Sequence, residues 1–266
     1  MRRFTDENGW LYAVNRSNTK AVPFRCKPNQ LFVRKEYYTE VDSDGSKNSR
    51  MELRLSQLES EISPILAKFM AAAEANKLPD LSRHQKSLWD KFFLLQYRRV
   101  PDLRDDDSWK NALEEYAQIT SRLKKEFPHR VEEIEAFESD EEKIRMVNNA
   151  YVNMLDLPPG EPEKVLNRRG IILLRSARNK KFVIGSRPVI QMNMKNGRTL
   201  HDSYSEMWLP IASNLAIGVG TMWEKEKILD LENHSGMRYL NEAIARNSTS
   251  FASASLKLTQ SIAMRC

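Results

Sequence analysis

Residues 167–182 read NRRGIILLRSARNKKF, and the hydrophobic period changes in the middle of them. Before this point the central part of the chain repeats its apolar residues at helical spacing. After Gly170 come short apolar runs separated by polar turns, which is how strands read. GIILLRSA, KKFVIGSRPVIQM and LAIGVG are three such runs, and a helix is expected late, around SGMRYLNEAIAR.

Upstream, Leu55, Leu58, Ile62, Ile65, Leu66 and Phe69 predict a helix from Met51 to about Asn76. Ser82 and Gln85 have capping-box spacing, so a second helix is expected from Ser82 to Val100, ended by Pro101. SWKNALEEYAQITSRLKKEF is a third, with Ser108 as N-cap. SDEEKIRMVNNAYVNML is a fourth, opened by Ser139 and Glu142 and stopped by PPGEPEK. At the start, WLYAVN and AVPFR flank the polar turn RSNTK and predict a hairpin. KPNQLF reads as a tight turn, EYYTEV as another short strand and DSDGSKNS as an exposed connection.

The order is β, then α, then β with a late helix, which indicates an α+β fold rather than an alternating doubly wound sheet. A single domain over 1–266 is expected, β-rich over 1–45, helical over 51–155 and β-rich again over 168–266. At 41% hydrophobic and 29% charged residues, the 266-residue chain has a globular composition and can bury a core. No apolar run reaches the roughly 18 residues that a membrane span needs. WLPIASNLAIGVGTMW is too short and contains Pro210 and Asn214. MRRFTDENGW lacks the apolar region of a secretory leader, and Cys26 and Cys266 are too few for a disulfide framework. A reduced, cytoplasmic setting is therefore expected, with no membrane partner.

Net charge is +6, and its distribution says more than its total. Residues 167–182 hold Arg168, Arg169, Arg175, Arg178, Lys180 and Lys181 and no acid, whereas VEEIEAFESDEEK is strongly acidic. The basic run can gather phosphates by releasing counterions; the alternative is a solvated strand-and-turn surface.

A second group of polar residues lies in FFLLQYRRVPDLRDDD, residues 92–107. On a helical wheel Leu88, Trp89, Phe92, Phe93, Leu95 and Val100 make one face, with Gln96 near its middle and Arg99 within it, while Arg98 points away. A buried guanidinium requires an anionic partner. Glu59, four residues after Leu55 and three before Ile62, is placed to supply one. Asn241 sits among Met237, Leu240 and Ile244 in the same manner. Either these residues form a buried network that sets helix register, or Arg99 and Gln96 meet a substrate with Glu59 as base or orienter. His84, His129, His201 and His234 fall at no metal-ligand spacing, so no metal is expected, and no cofactor is specified. No GxSxG, phosphate-binding loop or GxGxxG occurs; the GVG at 218–220 is too weak to count.

RRFTDENGWLYAVNR, CKPNQLF, EYYT, LESEISPIL with Glu59, LLQYRRVPDLR, FVIGSRPV, LPIASNLAIGVG and YLNEAIAR occur in this order along nearly the whole chain. Together they resemble a mainly bacterial domain-of-unknown-function family, number 4238, whose members usually open with His-Tyr-Val-Pro. By position Gln96, Arg99, Pro101 and Arg104 match its Gln-x-x-Arg-x-Pro segment, and Asn241 its late asparagine. The resemblance places His-Tyr-Val-Pro just before Met1. It also places a common Ser-Asp where this chain has Gly185 and Ser186. The family supplies no reaction, but its genes often lie among bacterial defence genes, which points to a nucleic-acid target.

The leading expectation is thus a protein that binds or processes DNA or RNA in defence against phage, as a nuclease or glycosylase would. A non-catalytic interaction module with a structural polar network is the alternative, and a small-molecule hydrolase or transferase is a third.

Overall fold

The computed structural model describes residues 1–17, 22–32, 35–99, 106–156, 161–176, 180–192, 205–223, 226–231 and 234–266. In chain order the elements begin with β1 (Leu11–Asn15), β2 (Phe24–Cys26), β3 (Glu40–Val41), β4 (Lys47–Asn48), α1 (Arg50–Glu74) and α2 (Arg83–Arg98). Next come α3 (Asp106–Glu126), α4 (Val131–Glu135), α5 (Asp140–Asn153), α6 (Glu161–Arg168), β5 (Arg169–Ser176), β6 (Ile184–Gly185) and β7 (Ile190–Met192). The last are β8 (Glu206–Ala212), β9 (Leu215–Trp223), β10 (Lys227–Leu231), α7 (His234–Arg246), β11 (Ser250–Ser253) and α8 (Leu256–Ala263). The expected α+β order is present: early strands, central helices, a C-terminal sheet and a late helix.

Two compact units are assembled from separated segments. Met1–Val33, Glu59–Asp102 and Pro159–Cys266 form the first, Arg34–Leu58 and Leu103–Pro158 the second.

The first unit holds two sheets. In the smaller, of order β2-β1-β11-β6, the predicted hairpin pairs Leu11 with Cys26, and β11 joins β1 from the far end of the chain. The larger has the order β10-β5-β9-β8-β7, antiparallel except for the β10–β5 pair. The first six residues of β5 are buried. That explains why IILL reads as an unbroken apolar run, since a strand covered on both faces has no polar side to alternate with. Gly218 in β9 faces Trp208 across the β8–β9 pair, and a Cβ there would lie 2.4 Å from the indole and 2.5 Å from the Met207 carbonyl. The glycine of GVG thus makes room for a ring. Met237, Leu240 and Ile244 of α7 enter the core with Phe4, Leu11, Phe182 and Phe251.

In the second unit Trp109 of α3 stacks on Tyr151 of α5, ring centroids 5.8 Å apart. The Asn149 side chain clasps Val41, accepting from its N–H at 2.9 Å and donating to its carbonyl at 2.8 Å.

Local differences from expectation have local causes. EYYTEV is a strand only at Glu40–Val41, because a turn with Glu36 at φ +57° precedes it. The third helix begins at Asp106, so Ser108 lies inside it and is not its cap. The Ser82 and Ser139 caps form as expected, accepting from Gln85 N and Glu142 N at 3.2 Å each. Val100, Pro101, Arg104, Arg178 and His201 lie outside the described residues.

Candidate functional site

Helix α2 ends at Arg98, and Arg99 caps it with ψ +63°, its N–H donating to the Leu95 carbonyl. This matters for the wheel, because Arg99 has already left the helix whose angles were used to place it. Its Nη1 meets Glu59 Oε1, so the two residues pair as their positions on consecutive helices implied. The contact is not a desolvated one, however. The side chains are 23% exposed for Arg99 and 51% for Glu59, which corrects the expectation that both lie on the buried side.

Gln96 is half-buried. Its neighbour Tyr97, which the wheel did not single out, carries the polar character inward. The Tyr97 hydroxyl donates to Gln191 Oε1 at 3.2 Å, and Gln191 Nε2 donates to Ser205 Oγ at 2.9 Å. The Ser205 carbonyl accepts from Arg169 Nη1 at 2.9 Å. A polar chain therefore runs from the end of α2 through β7 to the buried start of β5.

Asn241 is buried and belongs to a different place. Its Oδ1 accepts from Val183 N at 3.0 Å and its Nδ2 donates to the Lys181 carbonyl at 2.9 Å. Both ends of the amide hold the extended segment that leads into β6. Among the described residues, the side-chain hydrogen bonds of Asn241 run to Val183 and Lys181 and not to Glu59, Gln96 or Arg99.

The basic run is divided too. Arg169 is only 1% exposed and takes no part in the surface, a correction to its placement as a phosphate contact. Its position explains this: it opens a central strand, where both faces are covered. Arg175 is held by Asp230 through two 2.7 Å bonds, Nε to Oδ1 and Nη2 to Oδ2, and donates from Nη1 to the Ala73 carbonyl at the end of α1. Arg168 and Lys181 are exposed and Lys180 is partly so.

Sequence reasoning missed a largely buried ionic pair. Lys86 and Asp90, one turn apart on α2, form an ion pair in which Asp90 is 1% exposed. Lys86 also donates to the Leu166 carbonyl at 3.1 Å. Asp90 Oδ1 is buried without a hydrogen-bond partner among the described residues. Burial pushes the Asp90 carboxyl up to about 6 against the opposing pull of Lys86, and the nearby charge of Glu163 adds to the rise. Burial likewise raises Glu226, again opposed by Lys86. The available signal was spacing: Asp90 follows Trp89 and precedes Phe93 by three, on the same apolar face as the aromatic residues.

Ser186 stands where the family resemblance places an acid. Its Oγ accepts from Thr249 N at 3.1 Å and Ser250 N at 3.3 Å, tying β6 to the turn before β11. Gly185 beside it has no room for a side chain, since a Cβ would come within 2.1 Å of Ser248 Oγ.

Chemically, Glu59 is the one carboxylate of the candidate set, half-exposed and oriented by a guanidinium. Among the described residues no group of three or more His, Cys, Asp or Glu side chains is arranged to hold a metal ion, and no helix is long and apolar enough to cross a membrane. In comparison with known proteins, a family model described as a protein of unknown function (DUF4238) matches residues 1–257. No curated protein and no solved structure matches the chain.

Proposed function

The chain belongs to the DUF4238 family of proteins of unknown function, and on that premise we propose that its first unit binds DNA or RNA as a polymer. The observation that carries the reading is the division of charge. The first unit has 29 Lys and Arg against 17 Asp and Glu, net +12. The second has 13 against 19, net −6. A phosphate strand responds to the local field and the counterions it can release there, so the whole-chain value of +6 understates the attraction. Arg168, Lys180 and Lys181 are the side chains we assign to phosphates, because Arg169 and Arg175 are engaged within the unit. A spread-out set of this kind suits several phosphates along a strand better than one compact group.

The setting we propose is the one the resemblance implies, defence against phage. In a catalytic version, a nuclease or glycosylase, Glu59 is the candidate proton acceptor and Arg99 its orienter.

The test is a salt titration with duplex DNA and single-stranded RNA. Replacing Arg168, Lys180 and Lys181 together by glutamine reduces the slope of log K against log salt by roughly two to three. Absence of binding by the parent chain at low salt overturns the proposal. Glu59→Gln separates the catalytic version, since it removes turnover and leaves binding intact.

A second reading is favoured by Asn241, whose amide is bonded at both ends to the main chain at Lys181 and Val183. In this reading the polar residues are scaffold, and the chain is a non-catalytic interaction module.

A further inference from the structure

We infer that the second unit docks a basic amphipathic helix of a partner protein in the groove formed by α3, α4 and α5. The groove encloses about 400 Å³ and lies wholly within this unit. Its apolar lining comes from Ile119 and Leu123 on α3, Phe127 just after it, Ile134 on α4, Phe137 beyond it, and Met146 on α5. Four of these, Ile119, Phe127, Phe137 and Met146, are between 38% and 45% exposed. Large apolar side chains that cluster in the open mark an interaction surface, whereas scattered ones do not.

The shape indicates a helix as the occupant. Ile119 and Leu123 on α3 and Phe127 at its end follow one another at spacings of four, a ridge of about 12 Å at 1.5 Å per residue. That length receives about two turns of a helix presenting its own stripe at i, i+3, i+4 and i+7.

Charge indicates which helix. Residues 126–142, which contribute Phe127, Arg130, Glu133, Ile134 and Phe137 to the lining, carry eight Asp and Glu and a single Arg. That arginine, Arg130, is already bound to Glu133 at 2.6 and 2.8 Å. Five of these acids, Glu126, Glu135, Glu138, Asp140 and Glu142, pair with Arg122, Lys124, Lys143 and Arg145. Glu132 and Glu141 are exposed, with no ion pair among the described residues. An apolar floor with these two glutamates nearby in sequence, in a unit of net charge −6, complements a leucine-type stripe flanked by Lys and Arg. A small apolar ligand would leave this negative charge unused. A second copy of this chain is a poorer fit, because its excess of positive charge lies in the first unit, where α7 turns Met237, Leu240 and Ile244 into its own core.

The probe is a fluorescently labelled leucine–lysine amphipathic helical peptide, titrated into the full chain and followed by anisotropy. Its leucine–glutamate counterpart with the same apolar positions is the control. We expect saturable binding of the lysine peptide only. Ile119→Asp, at a half-exposed position that tolerates a carboxylate, weakens it by about tenfold or more. Glu132→Lys combined with Glu141→Lys leaves the apolar floor untouched and weakens it several-fold. Equal binding of both peptides, or indifference to Ile119→Asp in a variant that melts like the parent, overturns the inference. So does self-association of the chain that Ile119→Asp abolishes, with no peptide bound, since the occupant is then a second copy.

Discussion

Helix α2 carries an ion pair at each end, and the two behave as opposites. At its C-terminus Arg99 meets Glu59 in the open. In its first half Lys86 meets Asp90 where the carboxylate is almost entirely covered. The chemistry is the same, an ammonium or guanidinium against a carboxylate, but the solvent is not. In the open pair water screens both charges and the net gain is small. In the covered pair each charge has given up hydration and depends on the other, so loss of either partner is costly. The sequence attracted attention to the first pair, and the structure moves it to the second.

The comparison is tested most severely by Lys86→Ala. It leaves Asp90 buried with no counter-charge and lowers stability to denaturant at pH 7 by roughly 3–5 kcal/mol. An effect as small as that of Arg99→Ala erases the distinction.

The pH dependence comes next. Folding raises the Asp90 carboxyl from 3.8 to about 6, so the folded state holds its proton more tightly than the unfolded chain. The resulting stabilisation is fully present below the unfolded value and is lost as pH rises through the folded one. The parent therefore loses roughly 2 kcal/mol relative to Asp90→Asn between about pH 4 and pH 7. Denaturant midpoints at several pH values measure this, and parallel curves for the two proteins count against it.

Asn241→Ala removes one buried and one partly buried hydrogen bond and leaves the Val183 N–H and the Lys181 carbonyl to find others, at a cost of about 2 kcal/mol. Thermal unfolding that is unchanged by this substitution refutes the scaffold role.

The smallest effects belong to the open pair. A double-mutant cycle on Glu59 and Arg99 gives a coupling of about 0.2–1 kcal/mol that shrinks with added salt, and Arg98→Ala stays within about 0.5 kcal/mol. A salt-independent coupling of several kcal/mol means the pair is desolvated after all.

The basic run teaches a related lesson. Its six positive residues looked alike in sequence. In the structure Arg169 is inside a sheet, Arg175 is bound to Asp230, and Arg168, Lys180 and Lys181 reach solvent. A count of charges says how many there are and nothing of how many are free. Arg16 makes the point again, because its guanidinium Nη1 is spent on the carbonyls of Ala245, Arg246 and Ser248 at the C-terminal end of α7.

What the sequence determined by itself is what short-range chemistry decides. Apolar spacing gave away α1, α2, α3 and α5, and Ser82 and Ser139 marked two helix starts. The polar turn predicted the β1–β2 hairpin, and the ordered short motifs identified the family. Each of these depends on residues a few positions apart. The tertiary structure alone decided that β11 pairs with β1, with Ser253 opposite Tyr12, and that Asn241 spans Lys181 and Val183. It alone also decided that Asp90, not Arg99, is the charge removed from water. Desolvation is a property of whatever packs over a group, and that cover is drawn from distant parts of the chain, so no local pattern carries it.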